Sequence, residues 1–347
     1  MNRLVIDGYG KFLGVENAQI VVREKGKVIH SEQPSKLRQV IFSGKGSLST
    51  EAVQTLSKNG VEIVFIDFRG RVMARISPPL LRTVQTRREQ YKAYDDWRST
   101  HISRAMISAK VRNQASTLRT LAKSRKGYDN ESAERLQNSA TAITEKILPE
   151  LDKISGTKAA IEDTRGTIMG LEGAASQEYW TALKTVFPPE FNFGGRSGRG
   201  AKDPINAMLN YGYGILLGEV GRVVYLSGLD PYAGFLHADR PGKPSMVLDL
   251  MEEFRQHLVD KSVIKLVTKK QVRPEEGLEK LAGTEYHQLT ENCRKALISE
   301  VLGRLETPVQ YAGKSVILSD VILSQARRVA KFLRGETNAY EGYYLRW

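Results

Sequence analysis

A single cysteine, Cys293, stands in 347 residues. That excludes an internal disulfide and a thiolate metal centre, both of which need more than one thiol. Long apolar runs are missing as well. No stretch approaches the roughly 20 residues that span a bilayer. The first residues, Met1-Asn2-Arg3-Leu4-Val5-Ile6-Asp7, place an acid where a secretion signal needs an apolar core. A soluble, cytoplasmic protein without a membrane partner is the expectation. Acidic residues are in deficit, 39 against 52 Lys plus Arg, a formal charge of +13. Such an excess favours polyanions, because neutralised phosphates release counterions. Internal repeats and low-complexity tracts are absent. The glycine-rich stretch from Phe193 to Lys202 lacks the spacing of a dinucleotide fingerprint or a phosphate loop, so nucleotide binding is not supported.

The composition that is present, 41% hydrophobic and 26% charged, is that of a globular chain long enough for two modest domains or one large one. Residues 1–78 read as β-rich. Short β-branched runs at 4–6, 18–22, 27–29, 39–42 and 61–66 are separated by turn signals such as Asp7-Gly8. One helix interrupts them, with Ser49 as N-cap, Ala52, Val53 and Leu56 at helical spacing, and Gly60 as the stop. The expectation is an α+β chain: a small N-terminal β-sandwich serving as a dimerisation platform, then a linker over 79–90 opened by Ser77-Pro78-Pro79, then an all-α domain over 91–347. The clearest helical stretches are 134–153, 205–226, 247–257, 277–303 and 318–334. Residues 82–126 hold twelve Lys or Arg against three acids, too one-sided for salt-bridge lacing. They read as a DNA-facing surface, with Arg87, Arg88, Arg98 and Arg104 as its candidates. Arg196, Arg199 and Lys202 in the glycine-rich loop, and Arg240 further on, suit phosphate contacts, although a loop of that kind suits a connector equally.

Three segments draw attention as chemistry. In Gly170-Leu171-Glu172-Gly173-Ala174-Ala175 a carboxylate lies between glycines, where another element or a nucleic acid backbone can approach closely; a helix-start acid facing the macrodipole explains Glu172 as well. In Asp230-Pro231-Tyr232-Ala233-Gly234-Phe235-Leu236-His237 a turn precedes one of only five histidines, either a structural side chain or a ligand. In Leu248-Asp249-Leu250-Met251-Glu252-Glu253-Phe254-Arg255 helical spacing groups Asp249, Glu252 and Glu253 opposite an apolar stripe. A solvated acidic face is the plain explanation, but clustered acids in a basic protein repel phosphate unless a cation lies between them. Glu172, His237 and Glu252 together make a carboxylate, imidazole, carboxylate set suited to Mg²⁺ or Mn²⁺.

At these residues the sequence resembles the CRISPR-associated integrase family, the universal adaptation protein of CRISPR systems. The likeness rests on Gly-Leu-Glu-Gly-Ala-Ala at 170–175, Asp-Pro-Ile-Asn-Ala-Met-Leu-Asn-Tyr-Gly-Tyr at 203–213, Gly-Leu-Asp-Pro-Tyr-Ala-Gly-Phe-Leu-His at 228–237 and Leu-Asp-Leu-Met-Glu-Glu-Phe-Arg at 248–255. It implies metal ligands at Glu172, His237 and Glu252 with Asp249 in support. It also implies a homodimer, assembly with a small second adaptation protein, and insertion of DNA fragments by attack of a 3′-hydroxyl on a phosphodiester in double-stranded DNA. A DNA nuclease outside CRISPR, and a non-catalytic DNA-binding scaffold, stay open on the residues alone.

Overall fold

The computed structural model describes residues 2–67, 70, 72–78, 84–198, 201–280 and 287–345. The chain divides into two compact units, Met1–Leu81 and Arg82–Trp347. Among the described residues no helix is long and apolar enough to cross a membrane.

Among the described residues the first unit contains eight strands: β1 (Asn2–Ile6), β2 (Tyr9–Glu16), β3 (Gln19–Glu24), β4 (Lys27–Glu32), β5 (Leu37–Phe42), β6 (Lys45–Leu48), β7 (Glu62–Ile66) and β8 (Val72–Ile76). They form two four-stranded sheets, ordered β1-β5-β7-β8 and β4-β3-β2-β6. The pairs β1/β5, β5/β7 and β2/β6 are parallel and the rest antiparallel. Leu4, Ile6, Val40, Phe42 and Ile63 from one sheet share an apolar core with Leu13, Ile20 and Val22 from the other. The helix α1 (Thr50–Lys58) begins where the sequence places it: the Ser49 side chain accepts from the Ala52 amide at 3.1 Å. Gly60, with φ of 72°, ends it. The strands β2, β6 and β8 were not among those expected. β2 hides behind its glycines, and Gly44 is needed because a Cβ there would lie 1.8 Å from the Gly8 carbonyl oxygen.

The second unit is mainly helical: α2 (Val84–Ala93), α3 (Trp97–Arg125), α4 (Asn130–Ala142), α5 (Leu148–Lys153), α6 (Ile161–Lys184), α7 (Pro204–Leu226), α8 (Ser245–Met251), α9 (Lys261–Thr268), α10 (Glu291–Leu305) and α11 (Leu318–Leu333). It is not all-α. Two small antiparallel ladders, β9 (Leu278–Lys280) with β10 (His287–Leu289) and β11 (Pro308–Tyr311) with β12 (Lys314–Ile317), lie within it. The first occupies the front half of the stretch expected as a helix over 277–303. The expected linker is helical from Val84 onward; its residues 79–83 lie outside the described residues.

Two helices set the interior. α7 buries 18 of its 23 residues, consistent with an apolar surface on all sides. Its Asp203 caps the Asn206 amide at 2.8 Å and Pro204 opens the first turn. α3 buries 19 of its 29 residues, so the basic stretch 82–126 does not form one continuous solvated face. Its small side chains, Ser99, Ser103, Ala105, Ala109, Ala115 and Ser116, let neighbouring helices approach closely.

Candidate active site

The site begins with the alignment of α3 and α6. Ser99 accepts from the Ile161 amide, Lys110 contacts Glu172, and Gln114 donates to Ser176, each pair 62 positions apart. A constant offset means that the two helices lie side by side, parallel and in register. Glu172 therefore sits in the middle of a 24-residue helix and not at a helix start. The register delivers it to one side chain of α3, Lys110.

The Lys110 ammonium bridges two carboxylates. It contacts Glu172 Oε1 and lies 2.6 Å from Glu252 Oε2. Glu172 Oε1 also accepts from the Ser176 hydroxyl at 2.8 Å. Glu252 is buried, with its Oε1 2.8 Å from Arg255 Nη2. Its Oε2 has no partner among the described residues besides the Lys110 ammonium. Burial alone would raise the Glu252 pKa. Arg255, Lys110 and His237 outweigh burial and hold it at about 2. Glu252 is ionised at any physiological pH. Arg255 is held in turn by packing over the Tyr213 ring, 4.6 Å from its centroid.

His237 is placed by Asp249. The buried Asp249 carboxylate accepts from the backbone amides of Phe235 at 2.6 Å, Leu236 at 3.0 Å and His237 at 2.9 Å. Its Oδ1 lies 2.6 Å from His237 Nδ1. Oδ1 already accepts from the His237 amide, and as an acceptor toward the ring it leaves Nδ1 as the donor and Nε2 as the nitrogen able to ligate. The loop that presents His237 is pinned from two further sides. Gln90 of α2 donates to the Asp230 and Ala233 carbonyls, and Gly234 lies so close to Ser245 that a Cβ would approach it to 2.6 Å.

Asp249, Glu252 and Glu253 are all buried, which rules out a solvated acidic face. They do not cluster either, because α8 ends at Met251 and the turn after it sends the side chains apart. Glu253 accepts from the Tyr340 hydroxyl, from Gln325 at 2.8 Å and from the Tyr343 amide at 2.7 Å. Burial raises its pKa to about 7 against these hydrogen bonds.

Among the described residues no three His, Cys, Asp or Glu side chains are gathered in a metal-holding arrangement. The reason is local: the place between Glu172 and Glu252 is taken by the Lys110 ammonium, a stand-in cation. The donor chemistry fits a hard divalent ion all the same, with two carboxylates, one of them firmly ionised, and an imidazole whose far nitrogen is braced by a carboxylate.

The basic candidates separate into two groups. Arg87, Arg88, Lys202 and Arg240 are exposed. Arg98 is engaged inside the fold by Asp96, Glu89 and the Leu333 carbonyl, and Arg104 by Asp152. Arg196 is half-buried, bonded to Asn206 and Asn210. Arg199 lies outside the described residues. Sequence reasoning missed Lys110, which it counted among surface cations, and the aspartate Asp260, which holds Tyr179 and Tyr213 behind the site.

Comparison with known proteins identifies the family. The family model described as CRISPR associated protein Cas1 matches residues 4–302. The CRISPR-associated endonuclease Cas1 1 of Archaeoglobus fulgidus is 45% identical, over 99% of this chain and all of that one. The CRISPR-associated endonuclease Cas1 1 of Francisella tularensis subsp. novicida is 32% identical over the full length of both. Among solved structures, a casposase bound to integration product superposes with a TM-score of 0.81 at 25% identity, covering 98% of this chain and 93% of that one. A CAS1 protein from Thermotoga maritima shares the fold, with a TM-score of 0.74 at 18% identity over 99% of this chain and all of that one. With the model matched over most of its length and close relatives covering all of it, the chain belongs to the CRISPR-associated Cas1 family.

Proposed function

We propose that this Cas1-family endonuclease and integrase works as a metal-dependent phosphodiester transferase on double-stranded DNA, with Glu172, His237 and Glu252 as the residues that hold Mg²⁺ or Mn²⁺. The observation that carries the reading is two carboxylates on separate elements sharing one cation, beside an imidazole oriented by Asp249. When bound, the ion would polarise the scissile phosphate and stabilise the charge that develops on it. The chain's own residues do the rest. Arg255 keeps Glu252 anionic. Asp249 fixes the tautomer and direction of His237. Gly170 and Gly173 leave open space on α6 beside Glu172, room for a DNA backbone. A DNA 3′-hydroxyl as nucleophile gives insertion of a fragment into a CRISPR array, and water in its place gives cleavage.

Two strand transfers at opposite ends of one repeat need two such sites, so a homodimer is part of the proposal. The two-sheet N-terminal unit, as a β-sandwich, is its platform, because among the described residues it carries no acidic or imidazole cluster of its own. A small second CRISPR adaptation protein completes the assembly, and the cytoplasm is its place of work. A strand-transfer assay with a labelled 3′-hydroxyl duplex tests the chemistry. Product should form with Mn²⁺ or Mg²⁺, vanish with EDTA, and be lost in His237→Ala while DNA affinity persists, since affinity comes mainly from phosphate contacts elsewhere. Full transfer in EDTA sinks the proposal.

A further inference from the structure

We infer that Lys110 is a resident counter-ion of the site, one that a divalent cation must displace from Glu172 and Glu252 in order to bind. The inference rests on the metal-dependent reading above and adds a residue which that reading does not contain.

Lys110 is 7% exposed, on a helix face with Met106, Ile107 and Val111 as neighbours. A buried ammonium is costly unless it is paired. Here it meets two carboxylates and takes the place between them. A divalent ion held by the same two carboxylates meets the ammonium at that place, and two cations a few ångströms apart repel strongly in a largely buried space. Competition for one place therefore couples ion entry to the departure of the ammonium.

Of the two cations present, Lys110 is the one free to go. Arg255 is held by Glu252 Oε1 on one side and the Tyr213 ring on the other. Lys110 ends in a compact charge on a flexible four-carbon stem. The oxygen it faces, Glu252 Oε2, has no other partner among the described residues and is open to a new ligand once the ammonium moves. The arrangement keeps the two carboxylates from repelling each other before the ion arrives, at the expense of ion affinity. It also places a released ammonium beside the incoming phosphate.

Binding of Mn²⁺, followed by electron paramagnetic resonance on the full-length protein, tests this with Lys110→Met, Lys110→Arg and Glu252→Gln. Lys110→Met should bind Mn²⁺ about tenfold more tightly, a change of about 1.4 kcal/mol. It should also melt at a lower temperature than the parent without Mn²⁺ and recover when Mn²⁺ is added. Lys110→Arg should not gain affinity. In the unaltered protein, amine labelling read by mass spectrometry should find Lys110 protected without Mn²⁺ and more reactive with it, a measurement that holds even where a variant fails to fold. Unchanged Mn²⁺ affinity in Lys110→Met, or unchanged Lys110 labelling at saturating Mn²⁺, overturns the exchange and leaves the metal site standing. Absence of any Mn²⁺ binding that Glu252→Gln removes overturns the metal reading, and the exchange with it.

Discussion

Glu252 and Glu253 are neighbours in sequence and equally buried, yet they occupy opposite kinds of surroundings. Glu252 faces cations, and its pKa is held at about 2. Glu253 faces neutral donors, the Tyr340 hydroxyl, Gln325 and the Tyr343 amide, and its pKa is raised to about 7. The first pocket preserves a charge that a metal or a reaction can use. The second uses its carboxylate as a pin, fastening the C-terminal segment to the interior together with Asn113, which donates to the Tyr343 carbonyl at 3.0 Å. One turn after α8 separates the two roles, so adjacency in sequence says little about which acid is chemical.

Amide substitutions break the comparison most sharply. On the proposed metal reading, in which the ligands act as a unit, Glu252→Gln should lower strand transfer by at least about 10³-fold. Glu253→Gln should leave it within about twofold, because an amide oxygen still accepts from Gln325 and Tyr343 while its nitrogen donates to the Tyr340 hydroxyl. Equal losses in a single-turnover assay would show that the two pockets do not differ in function. Truncation reverses the ranking for stability. Glu253→Ala takes the acceptor from the buried Tyr340 hydroxyl and Tyr343 amide, while Gln325 keeps the Glu341 carbonyl, and should cost about 3 kcal/mol in urea unfolding. A cost below about 1 kcal/mol would mean that the pin is weak.

Much of this was legible in the sequence, for identifiable reasons. α7 announces itself through Asp203, Pro204 and a long apolar run, and α1 through Ser49 and Gly60. The β9/β10 ladder was not legible, because three-residue strands leave almost no alternation to detect. The residues Glu172, His237 and Glu252 were nameable from their segments. Of their partners, Asp249 was named as a supporting acid and Lys110 was not. A helical wheel through 247–257 assumes an unbroken helix, whereas α8 stops at Met251. Lys110 carried a faint signal, a lysine at helical spacing from Met106 and Ile107, which requires a buried acid opposite. That signal was masked by the high count of cations around it.

Lys261 sharpens the comparison from the basic side. Burial, with Arg304 adding to it, lowers its pKa from 10.5 to about 8. Between those values the unfolded chain binds more protons than the folded one, so this group's contribution to stability rises with pH from about 8 to 10.5. Below pH 8 it is a constant cost. Lys261→Met should therefore stabilise the protein at pH 7 by about 1–3 kcal/mol, each pKa unit being worth about 1.4 kcal/mol. The advantage should shrink toward pH 10. Urea unfolding at several pH values checks it, and an advantage independent of pH would assign the gain to packing instead.

Two glycines extend the contrast to space around the carboxylates. Gly173, next to Glu172, has nothing within 4 Å of the position a Cβ would take, whereas at Gly342, beside the Glu253 pin, a Cβ would lie 2.6 Å from the Ala105 carbonyl oxygen. The same substitution must then have opposite signs. Gly173→Ala lies in the middle of α6 and relieves the entropy cost of a helical glycine, a gain of about 0.5–1 kcal/mol. Gly342→Ala forces backbone apart and should cost about 1–3 kcal/mol. Activity separates them further. Gly173 is exposed and directly follows Glu172 on α6, so on the proposed approach of DNA to that open face Gly173→Leu should fold at least as well as the parent and yet lose about tenfold in strand transfer, a near-attack geometry disturbed by roughly an ångström. Melting temperatures paired with strand-transfer rates decide the matter. A Gly173→Leu protein with undiminished transfer would show that the open face of α6 is not where the DNA backbone lies.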